Sequence, residues 1–284
     1  MSSWKPESNG TVELLRKDFQ SKLVIPFVGS GASYSSNLPS WSALIRQIAA
    51  KAGFDADVFA SQGTFPQLFD YYFSVSPDKT FQKYVAKLST EFTRASVAFA
   101  PSPMHEELTR LPVDTIYTTN YDDLIERAYE MMGRSAAAII TYSDLASRPP
   151  DGTVQVVKYH GDFSIPESLV LTERQYFERM SLDTAMDVRL RADALGRSLL
   201  FIGYSLTDVN VRYLLYRLNK ERLSNSDGAY ARADGRRSYI VSSSIGEVQK
   251  AVLQSRYNVE AIELLPGHTQ QDVYLAELLK YCRT

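Results

Sequence analysis

The amino-acid sequence predicts an α/β protein with a doubly wound, mostly parallel β-sheet. Two observations lead to this fold class. Short apolar segments of strand length recur along the 284 residues, and the segments between them carry apolar residues at helical spacing. Strands that alternate with helices are typical of a parallel sheet covered by helices on both faces.

Composition excludes several classes of protein. The net charge of −2 gives no basic field for nucleic acid, so we expect no direct nucleic-acid binding. The polar N-terminus has no apolar signal segment, and no apolar run is long enough to cross a membrane. The single cysteine, Cys282, excludes a disulfide within the chain and a cysteine-based zinc site. These features predict a soluble, cytoplasmic protein without membrane contact.

Six segments are predicted to be strands because they are short, apolar and mostly rich in β-branched or aromatic residues. They are Leu23–Val28, Val113–Thr118, Val154–Tyr159, Ser198–Ile202, Ser238–Val241 and Val259–Leu264. The predicted helices include Trp41–Ala52, Phe65–Phe73, Phe81–Phe92, Tyr121–Met132 and Val209–Leu223.

The first two predicted strands are separated by far more residues than one crossover helix requires. We therefore expect a helical insertion at residues 42–110, which forms a lid or small domain over the sheet. A second helical excursion is expected at residues 163–195. Residues 1–284 otherwise form a single domain. The polar segment Ser224–Arg237 predicts a mobile loop.

A glycine-containing turn, Gly29-Ser30-Gly31-Ala32-Ser33, follows the first predicted strand. Its glycines would allow backbone N–H groups at a helix N-terminus to approach a phosphate. A tight turn between strand and helix also needs glycine for structural reasons, and that explanation stays open. Tyr34 occupies the place of the third glycine of a dinucleotide fingerprint, which disfavours an ordinary dehydrogenase.

Polar residues follow three later strands. Asn120 and Asp122 come after the second strand, where they could cap the next helix or reach a ligand crevice at the sheet edge. His160 ends the third strand and suits acid–base chemistry near neutral pH. His105, within a helical pattern, and His268, in a turn, are interpreted as structural.

The fourth strand ends in Gly203-Tyr204-Ser205, and Thr207 or Asp208 could cap the helix that follows. A plain turn with a cap remains open for this segment. Four strand ends with small, polar or titratable residues nevertheless favour one shared ligand site, since parallel strands bind ligands at their carboxyl ends.

In this order the four segments resemble the Sir2 (sirtuin) superfamily. The family carries a glycine–alanine–glycine–x–serine turn, a threonine–glutamine–asparagine–x–aspartate segment, a histidine–glycine pair and a glycine–threonine/serine–serine turn. This chain has Gly29–Ser33, Thr118-Thr119-Asn120-Tyr121-Asp122, His160-Gly161 and Gly203–Ser205. The wording TTNYDDLIE and FIGYSLTD is most similar to bacterial SIR2-like domains of antiphage defence. The resemblance spans about Leu23 to Leu215 and implies a Rossmann-like sheet.

Two departures from the family separate this chain from its protein deacylases. Those enzymes usually bind structural zinc through two pairs of cysteines, and this chain has only Cys282, so no zinc module is expected. The arginine-bearing segment of the family is replaced by Leu38-Pro39-Ser40-Trp41. Both departures match the defence-type members, which resemble NAD+ hydrolases.

The resemblance implies NAD+ as substrate and no metal. It implies that Asn120 positions water or ribose hydroxyls, Asp122 binds the nicotinamide carboxamide and His160 acts as base. The implied NAD+-binding residues are Gly29, Ser30, Gly31, Ala32, Ser33, Thr119, Gly203 and Ser205.

The expected function is hydrolysis of NAD+ to nicotinamide and ADP-ribose, as an antiphage effector that depletes NAD+ on infection. Three alternatives are weighed against it: a zinc-less protein deacylase, a non-catalytic sensor of NAD+ or ADP-ribose, and a dehydrogenase. The last would need an acidic residue at the end of the second strand, and none is convincing.

An active enzyme of this kind must be restrained until infection. We expect a homo-oligomer or a partner in trans, and the resemblance implies a HerA-type ATPase or an Argonaute-like protein.

Overall fold

The computed structural model describes residues 9–36, 38, 41–77, 80–147, 149–206, 208–224, 237–264 and 271–284. The described residues form a parallel sheet of seven strands in the order β3-β4-β2-β1-β5-β6-β7. The strands are β1 Val24–Val28, β2 Thr115–Thr118, β3 Ala136–Ile139, β4 Val154–Lys158, β5 Ser198–Ile202, β6 Ser238–Ser242 and β7 Val259–Glu263. The predicted fold class is confirmed.

Helices cover both faces of the sheet. They are α1 Gly10–Gln20, α2 Trp41–Ala52, α3 Ala56–Ser61, α4 Phe65–Val75, α5 Thr80–Val97, α6 Pro103–Arg110, α7 Leu124–Met131, α8 Tyr142–Ala146, α9 Glu173–Glu178, α10 Ala185–Gly196, α11 Val209–Ser224, α12 Glu247–Tyr257 and α13 Gln271–Arg283. Short 3₁₀ turns lie at Ser30–Ser36, Pro166–Ser168 and Arg179–Ser181. Within the described residues, no helix combines the length and apolar character that a membrane span requires.

All six predicted strands form, and β3 is an additional strand that sequence patterns did not predict. Its sequence, Ala-Ala-Ala-Ile, lacks the β-branched run that marks a strand, and it lies at the edge of the sheet with three residues partly or fully exposed. Its formation follows from pairing with β4. The predicted mobile loop covers residues 225–236, which, like Thr207 and His268, lie outside the described residues.

Two apolar clusters hold the helices on the sheet. One contains residues of α1, α6 and α13, and the other contains residues of α10, α11 and α12. Helices α2 to α5 form a third cluster with the segments around Tyr121 and Phe163. Helix α6, the last part of residues 42–110, instead packs under the sheet through Met104 and Leu108.

The chain changes direction across the sheet between β1 and β5. It builds β2, β3 and β4 on one side of β1 and then crosses to β5 on the other side. In open parallel sheets, ligands bind in the crevice outside the carboxyl ends of the strands at such a point. The turns after β1 and β5 are therefore the structural centre of any site.

These two turns are in direct backbone contact. The N–H of Gly29 donates to the carbonyl of Ile202 at 2.8 Å, and the N–H of Gly31 donates to the carbonyl of Gly203 at 2.9 Å. A Cβ on Gly31 would lie 2.8 Å from the Gly203 oxygen, and one on Gly203 would lie 2.4 Å from the nitrogen of Ala32. Close packing of the two turns therefore requires glycine.

We predict that Gly203→Ala destabilises the protein more than Gly133→Ala. Both glycines have a left-handed φ, +61° and +66°, so both changes carry a similar backbone strain. Only at Gly203 does the new Cβ meet backbone, because nothing lies within 4 Å of a Cβ on Gly133. The extra overpacking cost should be about 1–3 kcal/mol. Thermal and urea unfolding measure the difference, and equal losses for the two variants would contradict the packing argument.

Candidate active site at the carboxyl edge of the sheet

A cavity of ≈ 720 Å³ opens at the carboxyl edge of the sheet, above the turns that follow β1 and β5. Its size falls within the range of about 300–1,000 Å³ that is usual for small-molecule sites. The predicted site residues that line it are Ser30, Gly31, Thr119, Asn120, His160, Gly203 and Ser205. Four other predicted residues, Gly29, Ala32, Ser33 and Asp122, lie behind this wall.

Asn120 is buried and does not cap helix α7, whose N-cap position is held by Asp123. The cap interpretation of Asn120 is therefore wrong. Its Nδ2 donates instead to the carbonyl of Gly29 at 3.2 Å and to Oγ of Ser33 at 3.1 Å. Because a carbonyl can only accept, this contact fixes which end of the amide is nitrogen. The Oδ1 atom is left buried, without a hydrogen bond to the described residues.

Ser33 and Asp122 hold Asn120 in this orientation. The hydroxyl of Ser33 accepts from Asn120 and donates to Oδ2 of Asp122 at 3.1 Å, while Oδ1 of Asp122 accepts from the N–H of Leu124 at 3.2 Å. Burial raises the pKa of Asp122, although Lys158 and these hydrogen bonds act in the opposite direction. In this structure Asp122 supports the wall of the cavity and does not form it.

The turn after β1 does not present all of its backbone N–H groups to the cavity. Those of Gly29 and Gly31 donate to the turn after β5, and that of Ala32 donates to the carbonyl of Gly29 at 3.0 Å. These groups are therefore already paired within the chain. The structural explanation for the glycines accounts for this part of the motif.

His160 lies at the end of β4, is 2% exposed and lines the cavity. Its ring stacks on Tyr159, with ring centroids 5.5 Å apart, and meets the ring of Tyr176 edge-on at 5.2 Å. Its Nε2 lies 3.0 Å from Oδ2 of Asp208. The histidine is thus held by aromatic rings on two sides and faces a carboxylate.

Asp208 is a site residue that sequence reasoning treated only as a possible cap. Its Oδ1 does cap helix α11, since it accepts from the N–H groups of Asn210 and Val211 at 2.8 and 3.1 Å. Burial alone would raise the pKa of Asp208, but His160 and these N–H groups lower it overall. The side chain therefore stays ionised at neutral pH beside the histidine.

Lys158 is fully buried beneath the site. Its Nζ donates to the backbone carbonyl of Asp122 and lies 3.1 Å from Oδ2 of Asp162 and 3.5 Å from Oε1 of Glu126. Burial alone would lower the pKa of Lys158, but the carboxylates of Glu126 and Asp162 raise it to about 12. The lysine is therefore charged and connects β4 to the loop and helix that follow β2.

The remaining wall comes from the two long helical segments. Thr64, Phe65 and Pro66 contribute from the start of α4, and Glu173, Tyr176 and Phe177 contribute from α9. Sequence analysis did not assign these residues to a site because they belong to no strand end. The aromatic enrichment of both segments was the available signal.

His105 is structural, as its helical pattern predicts. It is buried in α6, and its Nδ1 lies 2.9 Å from Oγ of Ser102 at the helix cap. Burial lowers its pKa to about 4, so it stays neutral.

Comparison with known proteins decides the family. Residues 114–262, more than half of the chain, match the SIR2-like domain family. The chain belongs to this family. The matched part of the SIR2-like domain includes Asn120, His160 and Asp208, and the resemblance predicted from the four sequence segments is confirmed.

Several curated proteins are similar to this SIR2-like domain. The NAD(+) hydrolase ThsA of Bacillus cereus (strain MSX-D12) is 33% identical over 240 residues, which cover 82% of this chain and 46% of the relative. The NAD(+) hydrolase ThsA of Acinetobacter baumannii (strain 532279) is 31% identical over 208 residues, which cover 73% of this chain and 41% of the relative. The chain thus spans less than half the length of both.

Two further similarities are more distant. Defense-associated sirtuin 2 of Bacillus subtilis is 26% identical over 221 residues, which cover 73% of this chain and 20% of that protein. A crystal structure described as a Sir2 homolog–NAD complex aligns with 95% of this chain and 93% of its own, at 14% identity and a TM-score of 0.49.

We predict that Lys158→Met destabilises the protein by about 3–5 kcal/mol, because it leaves buried carboxylates without their cation. Burial already raises the pKa of Glu126, and Lys158 counteracts this. Without Lys158 the folded-state pKa rises further above the unfolded value, so stability is lost as pH rises. The difference between parent and variant should therefore be larger at pH 7 than at about pH 4.5.

Lys87→Met is the matched control for this measurement. Lys87 also contacts a carboxylate, Glu91 at 3.3 Å, but its side chain is 47% exposed. Its loss should cost no more than about 1 kcal/mol. Equal effects of the two changes in urea unfolding would refute a structural role for the buried lysine.

Proposed function

We propose that this protein is an NAD+ glycohydrolase, which cleaves the bond between nicotinamide and ribose and releases ADP-ribose. The observation that carries the proposal is the placement of Asn120 and His160 on one wall of the cavity, with Oδ1 of Asn120 lacking a partner. A buried acceptor without a partner costs free energy unless a ligand supplies a donor. The names of the two ThsA relatives support NAD+ as that ligand.

The reaction asks little of a general acid. A water oxygen bonds to the anomeric carbon as the glycosidic C–N bond breaks, and the electron pair of that bond neutralises the pyridinium nitrogen. Nicotinamide therefore leaves as a neutral molecule, through a transition state with oxocarbenium character like that of other glycosyl hydrolyses. The proton lost by the water must go to a base.

His160 is the proposed base, acting on water directly or through a ribose hydroxyl. Asn120 is the proposed positioning group, since its Oδ1 can accept from the water or from a hydroxyl while its Nδ2 is held by Gly29 and Ser33. Asp122 then acts at one remove, through Ser33. Ser30, Thr119 and Ser205 line the cavity and are proposed to bind other parts of NAD+.

Residues 42–110 and 163–195 are proposed to cover this site as a lid within a single SIR2-like domain. Support comes from Phe65 in the first segment and from Tyr176 and Phe177 in the second, all of which line the cavity. Aromatic side chains at these positions would limit the entry of bulk water, which strengthens polar contacts inside the site.

The biological setting we propose is antiphage defence in the cytoplasm, where depletion of NAD+ would halt the infected cell. The name of Defense-associated sirtuin 2 supports this setting. Because an unrestrained enzyme would harm its host, we propose control by self-assembly or by a partner in trans, such as a HerA-type ATPase or an Argonaute-like protein.

We predict that His160→Ala and Asn120→Ala both fold but release nicotinamide about 10²–10⁴ times more slowly than the parent, because each removes a group that acts on the nucleophile. Chromatography of NAD+ reactions measures the rate, and thermal unfolding confirms folding. Asn219→Ala is the control, since Asn219 donates to carbonyls of Ser255 and Arg256 and lies outside the cavity wall. Release by His160→Ala at the parental rate would contradict the assignment.

A second prediction separates hydrolysis from protein deacylation. Nicotinamide release by the parent should be equally fast with and without an acetylated peptide, because water and not an acetyl oxygen is the nucleophile. Release that strictly requires the peptide would overturn the hydrolase in favour of a deacylase. Binding of NAD+ without any release, even with co-expressed neighbouring gene products, would favour a sensing module.

A further inference from the structure

Asp208 connects the start of helix α11 to the imidazole of His160. Its Oδ1 accepts from the N–H groups of Asn210 and Val211, and its Oδ2 lies 3.0 Å from Nε2 of His160. The side chains of both partners are nearly buried, with 9% of Asp208 and 3% of His160 exposed. The helix cap fixes the carboxylate, so the second oxygen has a defined position beside the ring.

The helix cap alone does not explain this aspartate. Asp55 caps α3 in the same way, with Oδ1 accepting from the N–H groups of Asp57 and Val58 at 3.0 Å each. A cap therefore needs one oxygen, which serine or asparagine supplies equally well. The second oxygen of Asp208 is the one that meets His160, and its burial would be unfavourable without a partner.

We propose that Asp208 is a positioning residue that orients His160 and selects one tautomer of its ring. A carboxylate can only accept, so Nε2 must carry the proton and the lone pair must lie on Nδ1. The nitrogen that takes a proton in the reaction is then Nδ1. Only this catalytic consequence rests on the proposed function, because the tautomer itself is a property of the folded protein.

The other groups around His160 contribute no competing negative charge in contact with the ring. Burial raises the pKa of the neighbouring tyrosines above the usual value, so they are neutral near pH 7; these are Tyr121, Tyr159, Tyr176 and Tyr204. Arg179 lies over the ring of Tyr159 and is paired with Asp187 at 2.8 Å. Glu173 lines the same cavity.

The contact is close but not yet aligned as a hydrogen bond, since Nε2 has no aligned acceptor among the described residues. At 3.0 Å a modest rotation of the imidazole would align it. Catalytic hydrogen bonds are often poorly aligned without substrate and tighten in the complex.

Long-range ¹H–¹⁵N NMR of the histidine rings tests the proposal without any activity measurement, and His160→Gln assigns the signals. Near neutral pH the parent should show His160 with its proton on Nε2. In Asp208→Asn, which keeps a good helix cap, the ring should lose its added proton at a pH lower by about one unit or more, because the nearby negative charge that stabilises imidazolium is gone. Asp55→Asn, the same change at a matched cap, should leave both properties unchanged.

Kinetics provide the second arm. Nicotinamide release by Asp208→Asn should fall about 10–100-fold, the usual effect of losing a carboxylate behind a functional histidine. The acid limb of its pH–rate profile should move to lower pH by the same amount as the NMR midpoint. Asp55→Asn should keep the parental rate and profile.

The outcomes separate this inference from the proposed function. A proton on Nδ1 in the parent, or an unchanged midpoint in Asp208→Asn, overturns the role of Asp208 even if the parent hydrolyses NAD+. An Nε2 proton that depends on Asp208, in a parent that releases no nicotinamide, supports the pair and overturns the hydrolase. If Asp208→Asn fails to fold, the tautomer of the parent still decides.

Discussion

The backbone contact between the turns after β1 and β5 is the constraint on which the site depends. Two chain segments that are remote in sequence approach so closely that a single methyl group on Gly31 or Gly203 would meet backbone. The contact draws the two strand ends together at the switch point of the sheet and forms the floor of the cavity. Polar residues carried by neighbouring strand ends then line one crevice because their strands are parallel and in register.

Above this floor, a continuous set of polar contacts fixes the groups of the site before any ligand arrives. Gly29, Ser33 and Asp122 hold the amide of Asn120, and the buried Lys158 holds the backbone beneath it. On the other side, the helix cap at Asp208 places a carboxylate beside His160. Preorganised groups of this kind need little rearrangement during a reaction, which is how buried polar networks contribute to catalysis.

Much of the fold could be predicted because its signals are local. The six predicted strands are apolar and mostly β-branched or aromatic, and pairing in the sheet changes their ends by no more than two residues. Strand β3 escaped prediction because alanine has no strand preference of its own, and pairing with β4 determines its conformation. Asn120 was ambiguous in the sequence, since an asparagine before a helix is an ordinary cap, and only its contact with Gly29 excluded that interpretation.

The sequence by itself determined the fold class, the four polar strand ends and the family, because these depend on residue type and order along the chain. The tertiary structure decided which side chains face the cavity. It assigned Asp122 to a supporting layer, placed Asp208 beside His160 and buried Lys158 among three acidic residues. Such assignments depend on distances between segments far apart in sequence, and these distances are set by packing across the sheet.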